Sequence, residues 1–150
     1  MTQGEAATNL TTDATVTGET YESTGDDENA LRVTGATVKL DGVTINKTAG
    51  ATSNTENGDF YGMNAGFLAT DGATVTLTNS TVNTTAQNGN GVFSYGSGTT
   101  VNVSDTTITT TKDNSGGIQE VCTGEDFLPQ KCLIIYKMLE KVLHLKYNQM

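Results

Sequence analysis

Three stretches of the chain repeat one pattern, GATVKLDGVTIN (35–46), GATVTLTNSTVN (72–83) and GTTVNVSDTTIT (98–109). Counted from the leading valine, apolar residues occupy the first, third and eighth positions of each stretch. A spacing of two is the alternation of a β-strand that buries one face. The later gap of five residues indicates a corner between two short strands. The residues expected to point inward are Val38, Leu40 and Ile45, then Val75, Leu77 and Val82, then Val101, Val103 and Ile108.

The corner position within each stretch has its own chemistry. Gly42, Asn79 and Asp105 occupy equivalent places there. These residue types adopt a positive φ at the least steric cost. The corner therefore repeats together with the apolar triplet.

A third strand-like segment precedes each stretch, at 29–33, 64–69 and 90–95, and a fourth begins at 114–119. Three short strands per repeat indicate a triangular coil whose units stack on one another. We expect an all-β fold, a right-handed parallel β-helix of about three to four rungs, with Val38, Val75 and Val101 in one interior ladder. An antiparallel β-sandwich remains the alternative for short strands separated by turn signals.

The spacing of the repeats is uneven. It is 37 residues from Gly35 to Gly72 and 26 from Gly72 to Gly98, which predicts a loop inserted within 49–62. That loop carries the candidate binding residues Asp59, Phe60 and Tyr61, because binding residues often lie on loops held by a rigid scaffold. In the other interpretation, Phe60 and Tyr61 only pin the loop to the coil.

Composition divides the chain into three parts. Residues 1–28 form a polar segment with a degenerate first rung, in which Val16 lies 22 residues before Val38 and residues 26–28 form a solvated turn. Residues 29–119 hold the rungs, where Phe67 and Phe93 are expected at equivalent positions. Residues 120–150 form a tail that lacks the repeat and contains Cys122 and Cys132, both predicted to be free thiols.

The tail has apolar residues at helical spacing, which predicts an amphipathic helix from about residue 131. Two interpretations stay open. The helix caps the end of the coil, or the tail is unrelated to the repeat, in which case end-to-end self-association is open to the chain. The apolar residues of this stripe are Ile135, Met138, Leu139, Val142 and Leu143.

Charge narrows the choice of partners. The formal net charge is −9, and residues 1–119 carry 13 acids against four bases. An acidic body repels phosphate, so nucleic acid is not an expected partner. No segment is apolar enough to span a membrane, and the first residues show no signal-peptide pattern.

The Gly-Ala-Thr-Val-x-Leu-x-Asn-Ser-Thr-Val pattern resembles the rungs of the pectin-lyase-like right-handed β-helix superfamily. In its high content of Thr, Asn and Gly, the chain most resembles adhesin-like surface proteins of bacteria and archaea. The resemblance covers about residues 14–119 and implies an extracellular or cell-surface location. Members are usually longer and carry an export signal, so we expect this chain to be a fragment.

The chemistry of the repeats does not match that of the superfamily's enzymes. Its lyases use clustered Asp with Ca²⁺ and a basic residue, whereas the repeats offer only Arg32 and three lysines, and the single His144 lies in the tail. We expect no catalytic residues, no cofactor and no metal site. The predicted function is a non-enzymatic structural or adhesin-like segment whose partners are surface glycans or other proteins. The alternative is a carbohydrate-binding or polysaccharide-processing β-helix domain.

Overall fold

The computed structural model describes residues 1–121 and the backbone of residues 133–137. These residues form fourteen strands and one helix. In chain order the elements are β1 (Glu5–Leu10), β2 (Ala14–Thr17), β3 (Thr20–Ser23), β4 (Glu28–Thr34), β5 (Thr37–Asp41), β6 (Thr44–Lys47), α1 (Thr55–Tyr61), β7 (Phe67–Thr70), β8 (Thr74–Thr78), β9 (Thr81–Thr84), β10 (Val92–Tyr95), β11 (Thr100–Ser104), β12 (Thr107–Thr110), β13 (Ile118–Val121) and β14 (Leu133–Lys137).

The strands assemble into three parallel sheets. Sheet A has the order β1-β4-β7-β10-β13, sheet B the order β2-β5-β8-β11-β14, and sheet C the order β3-β6-β9-β12. Each run of three consecutive strands adds one strand to every sheet, so the chain coils. The fold is therefore a parallel β-helix, as predicted, and the antiparallel sandwich is excluded because every described strand pair is parallel.

The interior ladders follow the predicted register. Val75 pairs with Val38 on one side and with Val101 on the other, and all three are fully buried. In sheet C, Val82 pairs with Ile45 and Ile108 in the same way. Each buried side chain of this size contributes about 1.5–3 kcal/mol, so the stacked apolar ladders are the main source of stability.

The corners hold left-handed residues, as the sequence predicts between sheets B and C. There φ is 65° at Gly42, 52° at Asn79 and 48° at Asp105. The other two corners also contain left-handed residues, which the sequence patterns described above did not predict. Positive-φ residues there include Gly35, Asp71 and Gly96 between sheets A and B, and Asp27, Asn88 and Asn114 between sheets C and A.

The first rung is better formed than its sequence suggests. β1, β2 and β3 pair with β4, β5 and β6, so three strands lie within the segment described above as polar. The predicted alignment of Val16 with Val38 is wrong by two residues, since Val16 pairs with Leu40 and Ala14 pairs with Val38. The small side chain of Ala14 gives a weak apolar signal at the leading position, which explains the error.

The equivalence predicted for Phe67 and Phe93 is also wrong. Phe67 pairs with Val92 and faces the interior, whereas Phe93 pairs with Leu68 and packs outside the coil. The corner after β10 spans four residues, 96–99, and the corner after β7 spans three, 71–73. This one-residue difference shifts the offset between rungs in sheet A, and a one-residue shift moves a side chain to the opposite face of a strand.

The tail departs from the predicted helix where it is described. Leu133–Lys137 is a strand that pairs parallel with β11 and extends sheet B. Its sequence, LIIYK, is rich in the β-branched and aromatic residues that favour strands. The helix from about residue 131 is therefore not confirmed. The rest of the predicted helix lies outside the described residues, and so do Cys122, Cys132 and His144.

Candidate binding surface at the corner between sheets C and A

The loops that lead from sheet C to sheet A stack on one another and form an open groove. The loop after β6 contains the insertion, the next follows β9, and the last follows β12. The first connection, including α1, spans 19 residues (48–66) and the other two span seven each (85–91 and 111–117), so the surface here is less regular than the sheet faces. The groove is lined by Thr48, Ala49, Gly50, Ala51, Thr85, Ala86, Gln87, Lys112 and Asp113.

A buried hydroxyl closes each of the regular turns at this corner. The Thr84 hydroxyl donates to the carbonyl oxygen of Gly89, and the Thr110 hydroxyl donates to that of Ser115 at 3.2 Å. In the first rung, the Ser23 hydroxyl donates to the Glu28 carboxylate at 2.6 Å. In all three cases the acceptor residue lies five positions after the hydroxyl, but the acceptor is a backbone carbonyl in two turns and a side-chain carboxylate in the first.

Lys47 takes the place of that hydroxyl in the second rung. It pairs with Ser23 in β3 and with Thr84 in β9, and its side chain is fully buried. Its Nζ donates to the carbonyl oxygen of Gly25 at 2.5 Å and to the Ser23 hydroxyl at 3.2 Å. The longer side chain thus bonds the rung below, because the insertion removes the ordinary turn from its own rung.

The environment of Lys47 disfavours its charge. Burial lowers the pKa of its ammonium group to about 8, and the nearby carboxylates of Glu28, Asp26 and Asp27 oppose that shift. In the sequence, Lys47 stands out only as one of the four bases within residues 1–119. The signal that could have identified it is its alignment with Thr84, which places a long cation at an interior position.

The acidic turn before β4 anchors the start of the insertion. An Asp26 carboxylate oxygen accepts from the amide of Ala51, and one from Asp27 accepts from the amide of Ser53, each at 2.7 Å. The amide of Asp27 in turn donates to the carbonyl oxygen of Ala51 at 3.0 Å. Asp26 and Asp27 thus form the turn expected there, with Asp26 exposed, and their carboxylates also hold one wall of the groove in place.

Helix α1 stands at the far end of the insertion. Its N-cap is Asn54, whose side chain accepts from the amide of Asn57, and it ends at Gly62 with φ 78°. A side chain at Gly62 would meet Leu68 and Phe93, since a Cβ there would lie 2.8 and 2.9 Å from their carbons. The helix thus covers the outward apolar residues of sheet A.

Asp59 bonds α1 to the stacked loops. A carboxylate oxygen of Asp59 accepts from the Asn88 side-chain amide at 2.7 Å, and its carbonyl oxygen accepts from Gln119 at 2.6 Å. Next to it, Gly58 lies so close to Asn88 that an added Cβ would be 2.5 Å from the amide carbon. Asp59 therefore has a structural partner at the contact between helix and coil.

The two aromatic candidates lie on the same helix and are both half-buried. The ring of Tyr61 meets that of Tyr95 edge-on, with centroids 5.6 Å apart and an interplanar angle of 68°. The carbonyl oxygen of Tyr61 also accepts from Gln3 at 3.1 Å. These contacts support the interpretation that Tyr61 pins the loop. Whether Asp59, Phe60 and Tyr61 also bind a ligand stays a prediction.

The groove offers hydrogen bonding over a shallow, polar surface. Gln87, Lys112 and Asp113 are exposed and contribute an amide, a cation and an anion. Thr52 and Asn64 both donate to the carbonyl oxygen of Gln87, which fixes the backbone of the middle loop. Over residues 1–121, no three His, Cys, Asp or Glu side chains come together as a metal would require. This chemistry suits contact with a polar partner.

Comparison with known proteins returned no matching family model, curated protein or solved structure. In the described part of the chain, no helix has both the length and the apolar character needed to cross a bilayer.

Proposed function

We propose that the chain is a non-enzymatic, adhesin-like structural segment of an extracellular or cell-surface protein, built as a right-handed coil of the pectin-lyase-like type. Right-handed connections are the general rule for parallel strands joined within one sheet. The proposal rests on the hydrogen bonds that polar side chains form between one rung and the next. A stack joined in this way is suited to hold its ends apart as a stalk.

Arg32 makes several of these links. Its guanidinium donates to the carbonyl oxygens of Gln3, Gly4 and Glu5, at 2.8, 3.0 and 3.0 Å, and to the Asn29 side chain at 2.8 Å. Hydrogen bonds from a charged group contribute about 1.5–3 kcal/mol, more than those between neutral partners. This one side chain fastens the start of the chain to the second rung.

Further side-chain links between rungs occur elsewhere on the coil. The amide of Thr37 donates to Asp13 at 2.8 Å, and the side chains of Asn83 and Asn46 bond at 3.0 Å. At the corners, Asn79 donates to Asp41 at 3.0 Å, and the Thr85 hydroxyl donates to the carbonyl oxygen of Thr48 at 2.8 Å. The polar surface thus reinforces the backbone ladders between rungs.

A denaturation experiment on the full chain tests the structural part of the proposal. Arg32→Met should lower the free energy of unfolding by about 2 kcal/mol, because three carbonyl oxygens lose a charged donor. The matched control is Lys39→Met, since Lys39 is an exposed cation on the outer face of sheet B. Equal stability of the two variants would contradict the role given to Arg32 and weaken the stalk interpretation.

The second candidate is a carbohydrate-binding or polysaccharide-processing domain. The groove favours it, because exposed Gln87, Lys112 and Asp113 can bond to sugar hydroxyls beside a floor of small residues. A glycan array and a cleavage assay on uronate polymers separate the two functions. Turnover would overturn the structural proposal. Saturable binding lost in Gln87→Ala would establish the groove as a glycan site, and the absence of both would leave the stalk function standing.

A further inference from the structure

The outer face of sheet C repeats one pattern in every rung. Residues 20–24, 44–48, 81–85 and 107–111 read Thr-x-Glu-x-Thr, Thr-x-Asn-x-Thr, Thr-x-Asn-x-Thr and Thr-x-Thr-x-Thr. The residue after each leading threonine points into the coil, as the full burial of Ile45 and Val82 shows, so the leading threonines face outward. Because the strands pair in register, these threonines form one column of Thr20, Thr44, Thr81 and Thr107.

The closing threonine of each pattern forms a second column, just beyond the strand ends. The amides of Thr48, Thr85 and Thr111 each donate to the carbonyl oxygen of the residue that ends the strand one rung below, at 3.1, 2.8 and 3.2 Å. Thr24 holds the same place in the first rung, directly after β3. A middle column contains Glu22, Asn46, Asn83 and Thr109. The face thus presents a grid of twelve side chains, nine of them threonine, here named the Thr/Asn array.

The Thr/Asn array is regular in both directions. Neighbouring strands of a sheet lie about 4.8 Å apart, and alternate residues of a parallel strand lie about 6.6 Å apart. Threonine is β-branched, so its χ1 angle is restricted. The Thr85 hydroxyl donates to the carbonyl oxygen of Thr48 at 2.8 Å, and the Asn83 amide donates to the Asn46 side chain at 3.0 Å. Hydroxyl, amide and methyl groups are therefore held at fixed points of a two-dimensional lattice.

The array is open to solvent and nearly uncharged. Its twelve side chains are all exposed or half-buried, and Glu22 in the first rung is the only charged member. The chain as a whole carries a net charge of −9, so this neutral area is a distinct feature of its surface. The other two sheets differ, because helix α1 covers the outer apolar residues of sheet A, and Lys39 and Asp41 interrupt the outer face of sheet B.

A partner that matches such a grid repeats in two dimensions on the same scale, as a crystal surface does. A calcium mineral requires carboxylate ligands, and three rungs of the array have none. A crystalline polysaccharide presents sugar rings, which flat aromatic side chains contact best, and the array contains no aromatic residue. Ice is an uncharged lattice of hydrogen-bond donors and acceptors. From the regular spacing, the fixed side chains and the low charge, we infer that the Thr/Asn array is an ice-binding surface.

Threonine suits this surface because it carries two kinds of group. Its hydroxyl bonds a water molecule, and its methyl group makes the neighbouring waters bond to one another around it. Repeated over the grid, these effects order a layer of water with the spacing of the array. That layer joins the growing crystal and holds the protein on it. A charged side chain such as Lys39 instead orients water around itself and breaks the layer, so sheet B lacks this property.

Growth of single ice crystals in solutions of the full chain tests the inference. In a nanolitre osmometer, we expect faceted crystals and a freezing point that falls below the melting point as the protein concentration rises. Crystals that stay round, with equal freezing and melting points at every concentration, would overturn the inference. Co-sedimentation with crystalline cellulose or chitin, without any effect on ice, would overturn it as well and assign the array to a polysaccharide.

Thr81 and Thr76 supply the matched pair of variants. Both are half-buried, outward-facing threonines of the same rung, but Thr81 lies in the array and Thr76 lies on sheet B. Tyrosine favours strands, so it preserves the fold while its ring projects above the neighbouring side chains. Thr81→Tyr should lose most of the gap between freezing and melting points, and Thr76→Tyr should keep it.

Circular dichroism establishes that each variant is folded before its effect on ice is compared. If Thr81→Tyr is unfolded, Thr48→Tyr replaces it, since Thr48 belongs to the array but lies outside the strands. A folded array variant with the gap of the wild type contradicts the inference. Equal losses in Thr76→Tyr and in the array variant would show that sheet C has no special part in the effect, which also refutes it.

Discussion

Val75 and Thr76 are neighbours on β8 that face opposite sides of the coil, and they allow one chemical change to be tested in both directions. Val75 is fully buried between Val38 and Val101, and Thr76 faces outward between Lys39 and Asn102. Val75→Thr exchanges a methyl group for a hydroxyl in the core. Thr76→Val makes the reverse exchange at the surface, with nearly the same volume.

The expected energies differ because only one hydroxyl leaves water. A buried hydroxyl without a partner costs about 1–3 kcal/mol, and the side chains stacked above and below Val75 are both valine. We therefore expect Val75→Thr to lower the free energy of unfolding by about 2 kcal/mol. Thr76→Val should change it by less than about 0.5 kcal/mol, as for most surface substitutions.

Thermal and urea denaturation of the full chain, followed by circular dichroism, measures both variants. For a chain of this size, about 1 kcal/mol corresponds to about 2–5 °C in Tm, so the two variants should melt clearly apart. Equal destabilisation, or a larger loss for Thr76→Val, would refute the assignment of inward and outward faces in sheet B.

Three further changes test other parts of the structure. Gly58→Ala should loosen α1 despite the higher helix propensity of alanine, because its Cβ would strike the Asn88 amide; faster hydrogen exchange confined to residues 54–62 is the measurement. Ser94→Ala should raise the free energy of unfolding by about 1 kcal/mol in urea titration, since its fully buried hydroxyl has no hydrogen-bond partner. Lys47 has a lower pKa folded than unfolded, so the unfolded chain holds more protons between about pH 8 and pH 10.5, and stability should rise with pH across that window by up to about 3 kcal/mol. The same pH series in Lys47→Met should lack that rise, and an identical slope would contradict the buried charge.

The sequence predicts the architecture best where each rung repeats the last without a change in length. The triplets of sheets B and C and the corner at Gly42, Asn79 and Asp105 are found as expected because alternation and positive φ leave a direct mark on residue type. The error in sheet A occurs where the length of a corner changes. A single extra residue in the corner after β10 places Phe93 on the face opposite to that of Phe67, and no local sequence pattern indicates it.

The candidate site was harder to predict than the fold. The sequence indicates an insertion and its polar and aromatic residues, but it does not show that Asp59 bonds Asn88 or that Tyr61 meets Tyr95, because both contacts join distant segments. Lys47 was missed for a related reason. Its side chain bonds Gly25, which lies in the turn of the rung below. In its own rung, the insertion replaces the turn that the other rungs close five residues after the equivalent position.

The insertion between β6 and β7 shows what the corner between sheets C and A can accommodate. The ladders on both sides of it continue unbroken, with Ile45 paired to Val82 and Leu31 paired to Phe67. The inserted segment, which includes the capped helix α1, therefore leaves the register of the strands on both sides intact. This corner therefore tolerates an inserted segment. Evolution, or protein engineering, could replace the insertion with another sequence while the rungs of the coil stay the same.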